Sequence, residues 1–269
     1  MPPLQMVDDV ITAAKCGSTS SALNAAINTF MELKKLKLGV DKCATVHIGN
    51  NNSKLECRVK TVHGEDMKNT VKEKYLGDFV TSSGNSKETI CDRKIRGNAI
   101  VSEIRAILRD IPLGNQRTQI GLVLRQAWFI NGCFVNSEVW TGYSESDLKD
   151  LEVIDHDILR AITGAQAKVP TEMLYLETAQ VPIKSVIVVR RLLYLQTILH
   201  IHKNELTRQI YDAMKEEPLK DDWIHLVTKD MSDINLNLSD DQITKLSKSE
   251  FKILVKSKMR SSAYVELNV

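Results

Sequence analysis

The sequence predicts an α+β protein in which a small antiparallel-sheet unit precedes a mostly α-helical domain. Three observations carry that prediction. Stretches in which apolar and polar residues alternate are confined to residues 1–84. From Ser86 onward, apolar residues recur at three- and four-residue spacing, the period of a helix face. The composition is that of a globular rather than a disordered chain: 43% of the 269 residues are hydrophobic and 26% charged, and the length leaves room for two domains.

Near the start, "LQMVDDVITAA" sets Asp8 and Asp9 between Met6-Val7 and Val10-Ile11. β-favouring apolar residues on both sides predict a tight hairpin. A carboxylate pair in apolar surroundings is costly unless a cation or hydrogen bonds compensate it. The pair therefore reads either as an acidic turn or as half of a metal site. Asp221-Asp222 and Asp240-Asp241 look instead like helix beginnings, where acids cap free N–H groups and suit the positive end of the dipole. "STSSALNAAINTFMELKKLKLG" predicts a helix with a stripe of Leu23, Ala26, Ile27, Phe30 and Leu33, lysines near its end and a stop at Gly39. "KCATVHIG", "KLECRVKTV" and "KYLGDFV" predict strands, the last running into the polar turn "TSSGNSK".

The helical part opens with "ETICDRKIRGNAIVSEIRAILRDI", where Arg105 and Arg109 stand one turn apart on one face, and breaks at Pro112-Leu113-Gly114. "QIGLVLRQAWFINGCFVNSEVW" predicts a long apolar helix with Arg125 inside it. "SESDLKDLEVIDHDILRAITG" starts with an S-x-x-D cap and ends at Gly164, with Asp155 and Asp157 read as helix surface. Further helices follow in "PTEMLYLETAQV", "PIKSVIVVRRLLYLQTILHIHK" and "ELTRQIYDAMKEE". Residues 85–215 thus form the helical domain, and the more polar residues 216–269 a helical extension. Trp128, Trp140 and Trp223 are expected in the core, and Arg190-Arg191 in buried ion pairs or at a helix edge.

A net charge of +2 means that any nucleic-acid surface must be a local patch. The five cysteines are widely spaced without C-x-x-C, and His200-x-His202 has no cysteine near it, which argues against a zinc site. Free thiols point to a reducing compartment, cytoplasm or nucleus. No signal peptide opens the chain, and no apolar run approaches the ~18 residues needed to span a bilayer. A soluble, intracellular protein without a membrane partner is expected.

Several blocks coincide in order with one family. "MVDDV" resembles the Asp-Asp box of a polymerase palm, usually aromatic-Ala-Asp-Asp, with Met6 and Val7 as departures. "KLGVDKCATVHIG" is similar to the following helix end and Lys-Cys strand, and "KYLGDFVTSSGNSKETICDRKIRG" to the Tyr-Leu-Gly primer grip and the start of the thumb. With "LRQAWFINGCFVNSEVW" and "RRLLYLQTIL" further on, roughly residues 4–230 resemble the C-terminal part, end of palm plus thumb, of a non-LTR (LINE-type) retrotransposon reverse transcriptase.

The resemblance implies nucleotidyl transfer through two Mg²⁺ ions, which take carboxylate oxygens and substrate phosphates, with an RNA template, a DNA primer and dNTP as partners. It implies Asp8 as metal ligand, Asp9 as a weaker or indirect one, and Lys42 near the leaving group, with a solvated lysine before a strand as the other reading. Tyr75, Leu76 and Gly77 would shape the primer grip, or simply pack as strand. Arg93, Arg96, Arg105, Arg109 and Arg125 would pair with duplex phosphates, or lie on a solvated helix face.

Such a site needs another aspartate, which in the family lies on a strand N-terminal to the box. "MPPLQMV" supplies none, and Asp78, Asp155 and Asp157 do not suit. The chain is therefore expected to be a fragment of an RNA-directed DNA polymerase that is inactive alone; the alternatives are a non-catalytic nucleic-acid-binding remnant and an inert fragment. Mg²⁺- or Mn²⁺-dependent primer extension by the purified chain should be absent. Extension that Asp8→Ala abolishes would overturn this.

Overall fold

The computed structural model describes residues 4–6, 9–14, 17–35, 42–49, 67–217, 219 and 222–266. The chain divides into two units, Met1–Asn85 and Ser86–Val269. It is an α+β protein whose second unit is helical throughout its regular elements.

In the first unit, β1 (Leu4–Met6) and β2 (Asp9–Ile11) pair antiparallel, Leu4 opposite Ile11 and Met6 opposite Asp9. The strands predicted around the acid pair are present on both sides of it; Val7 and Asp8 lie outside the described residues. Helix α1 (Gly17–Leu33) covers Leu23, Asn24, Ile27, Asn28 and Met31, whereas Phe30 and Leu33 from the predicted stripe remain exposed. The covered face is thus rotated from the one that hydrophobicity alone suggests. β3 (Ala44–Val46) pairs with β4 (Lys68–Thr70), and in parallel, a direction that residue alternation does not encode. The strand predicted in "KLECRVKTV" lies outside the described residues.

"KYLGDFV" is a hairpin rather than one strand. β5 (Lys72–Tyr75) and β6 (Asp78–Thr81) are antiparallel, with Tyr75 opposite Asp78. Leu76 and Gly77 turn the chain with φ of +48° and +91°. A two-residue turn with both φ positive matches the right-handed twist of its strands. Gly77 adopts it freely; for Leu76 the left-handed region costs about 1–2 kcal/mol, so the strands must hold it there.

The second unit comprises α2 (Lys87–Leu108), α3 (Asn115–Leu124), a π-helical turn (Arg125–Ile130), α4 (Asn131–Cys133), a 3-10 turn (Ser137–Val139), α5 (Glu145–Thr163), α6 (Thr171–Thr178), α7 (Ile183–His200), α8 (Leu206–Glu216), α9 (Trp223–Asp233), α10 (Asp240–Lys245) and α11 (Lys248–Glu266). The break at Pro112-Leu113-Gly114 separates α2 from α3 as predicted. Two cores form. Ile104, Leu108, Phe129, Phe134, Trp140, Leu151 and Ile158 build the first. Leu192, Leu195, Trp223, Val227, Ile243, Phe251 and Val255 build the second. Helix α7 belongs to both, Ile183 and Ile187 facing the first and Val188 and Leu192 the second. Residues 216–269, expected as a polar extension, supply more than half of that second core. Their apolar residues lie on single faces of α9 and α11, and an average over both faces hides them. Gly121 permits the approach of α3 to α5, since a Cβ there would sit 2.5 Å from Ile162 Cγ1. Among the described residues, no helix is long and apolar enough to cross a membrane.

Helix ends follow local chemistry. Asp222 caps α9, accepting the His225 N–H at 2.8 Å, and Asp240 and Asp241 occupy the first turn of α10 behind the cap Ser239. Ser144 caps α5 in a reciprocal box. Its Oγ accepts the Asp147 N–H, and the Asp147 carboxylate accepts the Ser144 N–H at 2.8 Å and hydroxyl at 2.7 Å. Gly164 ends the helix at φ +74°.

The hydrogen bonds from Ser144 hold the Asp147 carboxyl below its ordinary value. Because the folded value lies below the unfolded one, this contribution is present above about pH 4 and lost as pH falls through the folded value. Ser144→Ala should cost about 1 kcal/mol at neutral pH. In denaturant titrations the gap between variant and parent should narrow on acidification.

Candidate functional site

The residues predicted to carry chemistry separate into two groups, one in each unit. In the first unit, Asp9 opens β2 opposite Met6, and Asp8 lies outside the described residues. Lys42 is exposed just before β3. Tyr75 is half-buried at the end of β5, and Leu76 and Gly77 form the turn beyond it. Asp8 and Asp9 supply the hard carboxylate oxygens that Mg²⁺ prefers. Among the described residues, no group of three or more His, Cys, Asp or Glu side chains is placed to hold a metal ion.

The five arginines expected to meet a duplex do not share a surface. Arg93 is buried on α2, and Arg125 is only 2% exposed. A guanidinium must reach solvent to pair with phosphate, so these two leave the candidate set. Arg96 and Arg105 are exposed on α2, and Arg109 is exposed just past its end. Nine residues separate Arg96 from Arg105, two and a half turns, which puts them on opposite faces, roughly 180° apart. Arg105 also pairs with Asp157 at 3.3 Å.

Arg125 anchors the helical unit instead. Its Nε and Nη2 donate to the two oxygens of Asp155 at 2.6 and 2.7 Å, and its Nη1 donates to Gln180 Oε1 at 2.8 Å. The Tyr175 hydroxyl completes the cluster at 3.4 Å from Asp155 Oδ2. Burial, followed by the Asp155 charge, pushes that phenol far above its ordinary value. Asp155, read from sequence as helix surface, is fully buried. It falls within the stripe Leu148, Leu151, Ile154, Ile158, Leu159 and Ile162, a signal that would have placed it inside.

The local geometry has a reason. Gly121, Arg125, Phe129 and Cys133 are buried at strict four-residue spacing. In an α-helix that stripe would drift by about 40° at each step. A π turn, with its i→i+5 bonding, is wider and offsets the drift. Arg125, Phe129 and Cys133 therefore point inward, where burial pushes the Cys133 thiol up to about 11. Gln126, Ala127 and Trp128 face outward. Trp140 and Trp223 are core residues as predicted, but Trp128 is 38% exposed. It lines a groove of about 380 Å³ together with Arg96, Ala99 and Glu103 of α2 and Gly132 of α4.

Other arginines close gaps in the packing. Arg191 reaches Asp230 at 2.5 Å and the Tyr143 hydroxyl at 2.8 Å, the buried ion pair expected for the Arg190-Arg191 step. Arg190 donates to the carbonyls of Ile130, at the end of the π turn, and of Phe134, just past α4. Arg117 donates to the carbonyls of Leu108 and Ile111 and of Ala161 and Ile162. The last carbonyls of a helix lack partners within it, and these guanidinium groups satisfy them.

Arg125→Met, which strands Asp155 without its counter-charge, should destabilise the protein by about 3–5 kcal/mol. Arg105→Ala, at an exposed pair, should cost no more than about 1 kcal/mol. Equilibrium unfolding in denaturant measures both. Comparison of the chain with protein-family models, with curated proteins and with solved structures found no match in any of the three.

Proposed function

We propose that this chain is part of an RNA-directed DNA polymerase, a reverse transcriptase of the non-LTR retrotransposon kind, to which the β1–β2 hairpin contributes Asp8 and Asp9. The observation that carries this reading is the pairing of Met6 with Asp9, which places Asp9 at the start of β2, antiparallel to β1. Carboxylates carried on strands are held toward a ligand more firmly than those on loops, as a metal site requires, and Asp9 belongs to β2. The β5–β6 hairpin at Tyr75-Leu76-Gly77 and the helical unit that follows it support the same reading.

Asp8 and Asp9 would hold Mg²⁺. When bound, such ions supply activation of the primer 3′-hydroxyl and stabilisation of the departing pyrophosphate. Lys42, exposed before β3, would hold a proton and a positive charge for that leaving group. The Tyr75–Gly77 turn would position the primer end. A second reading, nucleic-acid binding without catalysis, is favoured by the exposed Arg96 beside Trp128. It requires binding that weakens steeply with salt and is indifferent to Asp8→Ala.

The test is to translate the transcript upstream of Met1 and assay the extended protein. An open frame should continue into an aspartate-bearing strand, and the product should extend a DNA primer on an RNA template with Mg²⁺. Asp8→Ala should lower that activity by more than about a hundred-fold, since even outer-shell changes at metal sites cost 10–100-fold. An in-frame stop directly upstream, or activity undiminished in Asp8→Ala, would overturn the proposal.

A further inference from the structure

The groove between α2 and the π turn sets Arg96 beside two residues that the polymerase reading does not use, Trp128 and Glu103. Trp128 is the solvent-facing tryptophan of the chain; Trp140 and Trp223 are 1% and 8% exposed. Arg96 lies across the bare backbone of Gly132, where an added Cβ would meet its Nη2 at 3.4 Å. Glu103 stands seven residues further along α2 on the same wall. Two helical turns separate Arg96 from Glu103, roughly 10 Å along the axis. Neither has an ion-pair partner among the described residues, and the interval is too long for them to pair with each other. An unpaired cation, an aromatic face and an unpaired carboxylate thus line one groove, whose volume lies at the small end of the range for ligand sites.

We propose that this groove binds a guanine nucleotide, with the phosphate at Arg96, the base against Trp128 and the base edge at Glu103. Charge complementarity selects the ligand. A duplex backbone running along the groove would bring successive phosphates past Glu103, so the groove is not a phosphate track. A single nucleotide placed lengthwise meets both charges correctly. Aromatic faces accept any base by stacking. A carboxylate accepts hydrogen bonds only, and guanine offers two adjacent N–H donors on its Watson–Crick edge, where adenine and cytosine each offer a donor beside an acceptor. The same chemistry is presented by a free nucleotide and by an unpaired guanosine within a strand. Neither Asp8 nor Asp9 takes part, so the site stands or falls apart from the polymerase reading.

The experiment is a titration of the purified full chain with GMP, AMP and CMP and with a short single-stranded RNA containing one guanine. Binding is read by tryptophan emission and by anisotropy of the labelled RNA. GMP should quench the emission saturably and bind about ten-fold more tightly than AMP, the scale of discrimination by a bidentate base contact. Glu103→Gln should remove that preference, and Arg96→Ala should weaken all nucleotides alike. Both residues are exposed, so the variants should keep the parent's circular dichroism. Saturable quenching by GMP alone would make the ligand a free nucleotide, and tighter binding of the RNA would make it an unpaired guanosine; either supports the site. Quenching that fails to saturate at millimolar GMP, or binding unchanged in both variants, overturns it.

Discussion

The bidentate pair between Arg125 and Asp155 is the interaction on which the helical unit depends. Both side chains are buried, and a buried charge without its partner is among the costliest defects a core can hold. The pair joins the π turn to α5, and Gln180 and Tyr175 bring in α6 and the segment after it. Four elements therefore share one electrostatic knot. Its geometry also sets the rotation of the π turn. With Arg125 held inward, Phe129 and Cys133 follow it into the core and Trp128 is turned toward the groove.

A second knot secures the other core. Arg191 and Asp230 link α7 to α9, with the Trp140 carbonyl and the Tyr143 hydroxyl as further acceptors. Because α7 faces both cores, the two are mechanically connected through one helix. Tyr211 and Lys215 of α8 converge on Asp240 at the start of α10, so the acid that opens that helix also anchors a neighbour. Arg125, Asp155, Arg191 and Asp230 thus act inside the fold rather than on its surface.

Local features were legible in the sequence and distant ones were not. The caps at Ser144 and Asp222, the stop at Gly164 and the break at Pro112-Leu113-Gly114 depend on a few adjacent residues, and each is found where the sequence places it. The turn at Leu76-Gly77 was not legible, because a leucine at a positive φ carries no Asn-Gly signal. The arginines show the same limit from another side. Arg93, Arg125 and Arg105 have one chemical identity, and only their surroundings distinguish a buried anchor from an exposed charge. Of the candidate polymerase residues, the strands beside Asp8-Asp9 were legible from the β-favouring apolar residues that flank the acids. The parallel pairing of β3 with β4 was not, since its two strands are far apart in the chain.

By itself the sequence determined the α+β class, the order of helices and most of their ends, because period, caps and breakers act within a turn or two of the chain. It also determined that two acids sit between apolar β-favouring residues. Tertiary structure decided which charges are buried, which face of each helix is covered and where a groove opens. Those outcomes depend on partners thirty or more residues away: Asp155 for Arg125, Asp230 for Arg191, Ile162 for Gly121. Desolvation is felt only when such partners meet, and for that reason no local pattern announces it.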